Sequence, residues 1–459
     1  MFRRCLISLL LLFSATAAGE EDILKNYIKE GLVSNLALQQ QAFDLQKSLK
    51  ALEEARGLFL PSLDLIARYS RAQGGRSIEF PVGDIINPMQ ETLNQLLQEQ
   101  VFPANIENVS IPFLREEEQE TKMRIVQPIF EPKILYNYKI QKNLANSRSA
   151  EKDAFARQLV NEIKSAYFNY LRTIQILQLI DRTDELLTEN LRVSERLFQN
   201  NKETEEVVLR AKVELSELDQ NRAIAEKNHV LAAAYFNFLL NRDLDAEIII
   251  LSDDVLTFDH SFDLTSAEIN ALAHREEFVQ LYQAIEASGN SIKLANSAYL
   301  PRLNFVFDFG FQGTNYAFGK DDDFWQASLL LQWNLFNGFS DRARKQQAQL
   351  EKRRLETQYA ELEKRIELEV TEAYHNLLVA AKTVLASNDR VKSAAKSFNI
   401  INRKYTEGIT PQIEFLDARN TLTRSEANLI ISRYEYQIRL AEFERSAALY
   451  SLENFDKNN

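Results

Sequence analysis

Glu162-Ile-Lys-Ser-Ala-Tyr-Phe-Asn-Tyr-Leu171 returns 207 residues later as Glu369-Val-Thr-Glu-Ala-Tyr-His-Asn-Leu-Leu378. Self-similarity at that spacing means one architectural unit used twice. Other pairs follow. Phe59-Leu-Pro-Ser-Leu63 recurs as Tyr299-Leu-Pro-Arg-Leu303, Gln127-Pro-Ile-Phe130 as Trp333-Asn-Leu-Phe336, and Phe198-x-x-Asn201 as Tyr405-x-x-Gly408. The offset falls from 240 at the Leu-Pro pair to 206 at the next, so about 34 extra residues lie in the first copy between Leu63 and Gln127.

Between the copies' ends, proline and glycine are partitioned. No proline lies between Pro132 and Pro301, and no glycine between Gly83 and Gly289. Because these residues break helix interiors, long spans without them that are rich in Glu, Lys, Arg, Leu, Ala and Gln predict long helices. Residues 134–200 and 341–407 each predict about 100 Å of continuous helix. In the second, Leu355, Tyr359, Leu362, Ile366, Val370, Ala373, Leu377, Ala380, Val384 and Val391 follow mostly three-four spacing, a coiled-coil seam. The first repeats the seam with Asp184 in the place of Val391, so one apolar step is lost. Return helices are expected at about 204–241 and 412–451, and leading helices at 23–57 and 266–297.

After each Leu-Pro motif the period changes from 3.6 to 2, which marks strands. Leu303, Phe305, Phe307, Phe309 and Phe311 alternate with Asn304, Val306, Asp308 and Gly310, mostly polar or small. Trp325, Ala327, Leu329, Leu331, Trp333 and Leu335 alternate with Gln326, Ser328, Leu330, Gln332 and Asn334. The runs have the length of tilted bilayer-crossing strands, which assigns Phe305, Phe307, Phe309, Trp325, Leu329, Leu331 and Trp333 to a lipid-facing surface. Strands are expected at about 60–70, 119–130, 301–312 and 324–336, with a proline-containing loop over residues 70–119. Four strands cannot close a barrel, and an open edge is not tolerated in lipid, so partner chains must complete it. A dimer would supply eight strands and a trimer twelve.

The chain begins with Arg3 and Arg4, an apolar run from Leu6 to Phe13, and small residues to Ala18, the layout of an export signal over 1–18. Cys5, the single cysteine, lies inside it, so a mature chain has no disulfide framework or thiol nucleophile. Its removal takes the formal charge from −12 to about −14, which disfavours nonspecific nucleic-acid binding. The organisation is then a first repeat over 19–242, a linker over 243–265, a second repeat over 266–451 and a tail over 452–459. His229, His260, His274 and His375 stand apart, without metal-ligand spacing, and there is no phosphate loop or nucleophile elbow. Asp253, Asp254, Asp259 and His260 read as a solvated linker rather than a metal site. No catalytic residue, metal or cofactor is expected.

Leu60-Pro-Ser-Leu63, Leu300-Pro-Arg-Leu303, Leu335-Phe-Asn-Gly338 and Tyr405-Thr-Glu-Gly408, in this order, resemble the TolC-like outer membrane efflux proteins. The fold class expected is mainly α with a membrane β-barrel part: a duplicated β-hairpin on very long coiled-coil helices. The resemblance implies a homotrimer with a twelve-stranded outer membrane β-barrel continued by a periplasmic α-helical barrel. It also implies docking onto a periplasmic membrane-fusion adaptor protein and an inner-membrane transporter of RND, ABC or MFS type. Such a chain is the exit duct of a tripartite efflux pump or a type I secretion system. A soluble periplasmic coiled-coil scaffold is the alternative reading, although it has no need for two aromatic hairpins.

In 403–417, glycine and proline mark a helix stop and restart, and Asn201 stands in the first copy for Gly408. By resemblance, Phe198, Asn201, Tyr405 and Gly408 are adaptor-docking turns. Glu414 and Asp417, three apart on one helix face, would form stacked acidic rings in an oligomer, which favour cations. By resemblance they narrow the periplasmic aperture. Arg210 occupies the position of Asp417 in the first copy and is expected to pair with an acid and hold the mouth shut.

Overall fold

The computed structural model describes residues 23–250, 262–316 and 318–456. The export-signal segment and Asp253, Asp254, Asp259 and His260 lie outside them. In chain order the elements are α1 (residues 23–34), α2 (Leu36–Gly57), β1 (Ser62–Arg71), β2 (Ser77–Phe80), α3 (Val82–Leu97), β3 (Val109–Pro112) and β4 (Glu117–Phe130). They continue with α4 (Pro132–Gln199), α5 (Glu205–Leu239), α6 (Leu264–His274), α7 (Glu276–Asn296), β5 (Arg302–Gly313), β6 (Asp323–Gln332), α8 (Ser340–Thr406), α9 (Gln412–Ser446) and the short α10 (Glu453–Asp456). The long helices α4 and α8 have 68 and 67 residues, and α5 and α9 have 35 each. No described helix is long and apolar enough to cross a membrane.

The chain divides into two compact units. One holds residues 1–50, 141–288 and 350–459; the other holds 51–140 and 289–349. In the helical unit, the decapeptide that betrays the duplication is core. Ile163, Ala166, Tyr167, Tyr170 and Leu171 of α4 are buried, as are Val370, Ala373 and Leu377 of α8. Tyr167 packs on Phe236 of α5 with ring centres 5.4 Å apart, and Tyr374 on Phe443 of α9 at 5.9 Å. Phe236 and Phe443 are fully buried. The same aromatic clasp thus joins each long helix to its return helix, and cutting either phenylalanine to alanine costs about 3–5 kcal/mol.

Two leading helices expected to be continuous are broken. α1 and α2 part at Asn35, and α6 and α7 at Arg275, positions related by the offset of 240. The breaks do the same work with different residues. Asn35 donates to the Leu239 carbonyl at 2.8 Å, and Arg275 to the Ser446 carbonyl at 3.2 Å, which satisfies the end of the return helix each time. Arg275 is buried and also holds Glu277 at 2.6 Å and Glu369 at 3.2 Å. Asp184 is likewise explained: Arg222 of α5 binds Asp181 at 2.5 Å and Asp184 at 3.3 Å, so an ion pair replaces the missing apolar step.

The return helices stop through one device. Asn241 and Ala448 take φ of 54° and 53°, and the following amides, Arg242 and Leu449, reach back to Asn237 and Glu444 at 3.0 and 2.9 Å. That is the Schellman pattern, and it ends α9 at Ser446 rather than near residue 451. The chain then folds back: the Tyr450 carbonyl accepts from Arg157 at 2.7 Å, and the Tyr450 hydroxyl donates to the Arg157 carbonyl at 3.0 Å. Burial raises that phenol above its ordinary value.

The second unit holds an antiparallel sheet in the order β1-β4-β5-β6. β6 stops at Gln332, short of the expected residue 336. The reason is local: the Trp333 indole N–H donates to the Tyr299 carbonyl at 3.0 Å and Asn334 donates to Asp341 at 2.8 Å, which turns the chain into α8. Trp333 therefore lies just past the strand and remains exposed. Residues 70–119 are not a plain loop. β2 and β3 pair antiparallel and α3 is folded between them.

Candidate functional site

Register determines what each face of the sheet presents. Leu65, Met123, Phe309 and Trp325 stand opposite one another across the four strands, and beside them run Leu63, Ile125, Phe307 and Ala327. Phe305 is paired with Leu329, and Leu303 with Leu331. Phe309, Trp325, Leu329 and Leu331 are exposed, and Phe305 and Phe307 half-buried. Side chains alternate along strands. The intervening row is Asp64, Arg124, Asp308 and Gln326. There Arg124 grips Asp308 with two bonds of 2.8 and 2.7 Å, Lys122 lies 3.4 Å from Asp308 and 2.6 Å from Glu120, and Arg68 lies 3.5 Å from Glu120.

One face is therefore hydrocarbon and the other a ladder of charges. From Leu303 to Phe311, at roughly 3.4 Å per residue and a tilt of about 45°, the apolar face is roughly 20 Å tall, near the band of ~25 Å found on outer-membrane barrels. Aromatic residues gather at its ends. Tyr69 stacks on Tyr316 at 5.9 Å and Phe311 meets Phe318 at 5.4 Å beside the β5–β6 turn. Trp333 sits with Tyr299 at the other end. The edge strands β1 and β6 have no second partner among the described residues.

In the helical unit, the α8–α9 turn is a Schellman stop. Gly408 has φ of 74°, its N–H donates to the Tyr405 carbonyl at 3.0 Å, and the Ile409 N–H donates to the Lys404 carbonyl at 2.8 Å. The α4–α5 turn matches it with Asn201 at φ 54°: Asn201 donates to Phe198 at 2.9 Å and Lys202 to Leu197 at 2.9 Å. Asparagine tolerates that left-handed region best after glycine, so both copies keep one turn geometry. Tyr405 stacks on Phe415 at 4.8 Å, and burial pushes its hydroxyl above the ordinary value. Phe198 is exposed.

Glu414 and Asp417 are both exposed on the first turns of α9, and Thr410 donates to the Glu414 carboxylate. Arg210 does not meet Asp417 within the chain. Its guanidinium binds Glu206, one turn earlier on α5, at 2.7 Å. The local reason is the i,i+4 spacing on one helix face, which needs no rearrangement to form.

Two cross-copy ties were not legible beforehand. Gln412, at the start of α9, donates to Asn190 at 3.1 Å and Ser194 at 3.0 Å of α4, all three buried. Arg419 of α9, 4% exposed, binds Glu214 of α5 at 3.0 Å, and Asn420 supports the same carboxylate at 3.2 Å. Burial lowers the Arg419 pKa, and its Nε and Nη1 have no acceptor. The signal was there: an arginine beside Phe415, Leu416 and Ala418 in a buried stripe. Among the described residues no cluster of three or more histidine, cysteine or acidic side chains is placed to hold a metal.

The profile of the outer membrane efflux protein family matches residues 269–448. The chain is 21% identical to outer membrane protein TolC of Salmonella enteritidis and 20% identical to that of Escherichia coli K12. In each case the match covers 94% of this chain and 83% of the relative. The Campylobacter jejuni CmeC outer membrane channel shares the fold with a TM-score of 0.76 at 14% identity, over 92% of this chain and 85% of that one. Duplicated hairpins, paired long and return helices, the matched second repeat and the near-full-length likeness to TolC converge: this chain has the fold of the TolC-like outer membrane efflux proteins, and its second repeat matches their family profile.

Proposed function

We propose that three copies of this outer membrane protein form the exit duct of a tripartite efflux pump or a type I secretion system. The duct passively conducts substrate delivered by an inner-membrane transporter and a periplasmic adaptor. The observation that carries this reading is the four-stranded sheet with one apolar face, one charged face and two unpaired edges. Such a sheet is stable in hydrocarbon only when other copies close it, apolar face to lipid and ion-pair ladder to water.

At the other functional element, Phe198, Asn201, Tyr405 and Gly408 form the two turns offered to the adaptor. Glu414 and Asp417, exposed and one turn apart, repeat around the aperture as rings that favour cations. Arg210 is the gating cation. Its bond to Glu206 is a surface pair worth about 0.3–0.5 kcal/mol, so exchange to a carboxylate on a neighbouring copy is cheap.

Planar-bilayer recording of the detergent-extracted oligomer tests this. The wild type is expected to show small, cation-favouring conductance, and Asp417→Ala or Glu414→Gln to weaken the cation preference. Extraction as a water-soluble monomer would refute the duct. An unchanged ion preference in both variants would refute the aperture assignment.

A further inference from the structure

The insertion carried only by the first copy contains a helix turned inside out. On α3, Ile85, Met89, Leu93, Leu96 and Leu97 lie on one arc and all are exposed. The opposite, polar arc is the one its own chain holds. Asn87 donates to the Ile106 carbonyl at 2.9 Å and accepts from the Ile106 N–H at 2.8 Å. The buried Asn94 donates to Phe102 at 2.7 Å and accepts from Val101 and Phe102 at 3.0 and 2.9 Å. Asn108 accepts from Gly83 at 3.0 Å and Asp84 at 3.2 Å, which caps the helix start. Gly83 lies so close to the segment that a Cβ there would stand 2.1 Å from the Ile106 carbonyl oxygen. The helix is therefore fixed by its polar side with its apolar side outward, the reverse of an ordinary surface helix.

The β2–β3 ribbon repeats the pattern. Ile78 pairs with Ile111 and Phe80 with Val109, which puts all four on one face, and all four are exposed. A lone two-stranded ribbon is marginal in water and needs a covering surface. Apolar patches of this kind mark interaction sites.

We propose that residues 77–114 form a collar whose apolar face packs on a second copy of this chain. Continuity supports this occupant. β1 is an open edge that another copy must meet, and β2 begins only six residues after Arg71 at its end. Charge supports it too. Residues 77–114 carry Glu79, Asp84, Glu91, Glu99 and Glu107 and no lysine, arginine or histidine. Helices that lie on anionic lipid use a basic polar face, so this one lacks the attraction that would seat it on a membrane surface. The inference rests on the oligomeric reading above.

The test places a photoreactive benzoyl-phenylalanine at Leu93 in intact cells, with the same probe at exposed Glu91, on the polar arc, as control. The expected result is a heat-stable adduct of two chains from position 93, with peptides of this chain alone, lost when the probe moves to 91. An adduct to lipid, an adduct to another protein, or no adduct from a sample that is still oligomeric overturns the collar. A sample that is monomeric overturns the oligomeric reading instead. As a second measure, the triple variant Ile85→Ser, Met89→Ser, Leu93→Ser is expected to lower the temperature at which the oligomer dissociates, with helical content unchanged. An unaltered dissociation temperature counts against the collar.

Discussion

Glu214→Ala should open the periplasmic aperture more than Arg419→Met, although the two residues form one ion pair. Removal of the carboxylate leaves Arg419, 4% exposed, with its charge uncompensated and with Nε and Nη1 already lacking acceptors; only Asn420 still accepts from it at 2.6 Å. Breaking a buried pair in this way costs about 3–5 kcal/mol. Glu214 retains more access to solvent, with 19% of its side chain exposed. Arg419→Met breaks the same pair, but the carboxylate it leaves keeps that solvent access and the Asn420 amide at 3.2 Å, so its cost is smaller. The pair ties α5 of the first copy to α9 of the second. A penalty of about 3 kcal/mol on the tied arrangement shifts an open–closed equilibrium by roughly 10²-fold. Single-channel recording reads this as a rise in open probability for Glu214→Ala and a smaller rise for Arg419→Met. Sensitivity to a large antibiotic that the outer membrane excludes should follow the same order. A larger effect from Arg419→Met, or no effect from either variant, would refute the reasoning.

Asp308→Ala leaves Arg124 and Lys122 without their shared carboxylate, and the oligomer is expected to dissociate at a lower temperature on unheated gels while Asp308→Asn retains part of the loss. Phe307→Arg puts a charge on the opposite face at a cost of about 2–4 kcal/mol near mid-bilayer, and outer-membrane fractionation should show failed assembly. The Glu277 carboxyl is half-buried, yet its bond to Arg275 holds it below the ordinary value of 4.5, so the native state releases its proton more readily than the unfolded chain. Its stabilisation is complete above about pH 4.5 and is lost as the pH falls through the lower native value; Glu277→Gln should flatten that acid limb in thermal-melt profiles. Gly408→Ala meets φ of 74° and is expected to destabilise the turn by about 1–2 kcal/mol in melts, whereas Asn201→Gly should be close to neutral.

The long helices, the return helices and the two hairpins were legible because each rests on periodicity over many residues, and a register of 3.6 or 2 survives local exceptions. The left-handed stop at Asn201 was legible as well, since the chemistry of that backbone region admits few residues. The breaks at Asn35 and Arg275 were not. Neither position carries glycine or proline, and the two fill one role with unlike side chains, so no pattern of residue type joins them. The early stop of β6 was hidden for a similar reason: alternation continues through Trp333 and Leu335, and only the hydrogen bonds of Trp333 and Asn334 take the chain out of the ladder. At the turns, Glu414 and Asp417 were found by their spacing. The partner of Arg210 was not, because its neighbour Glu206 satisfies it within the same helix.

The two copies differ where a threefold duct would need them to differ. What holds each long helix to its return helix is kept twice, as Tyr167 on Phe236 and Tyr374 on Phe443, and as side-chain donors to the carbonyls of Leu239 and Ser446. The differences that alter charge and length most sit at the chain reversals. Acids occupy 414 and 417 where the first copy has Val207 and Arg210, and the first hairpin carries residues 77–114 where the second has a short turn. Had both copies kept the acids, six carboxylates would face one another at each level in a trimer, and mutual repulsion would oppose closure. In the proposed trimer, acid in one copy and Arg210 in the other would alternate in sign around that ring, which would favour a closed mouth over six like charges. Both helix pairs therefore hold the wall, and the charge proposed for the mouth rests on the few positions at which they differ.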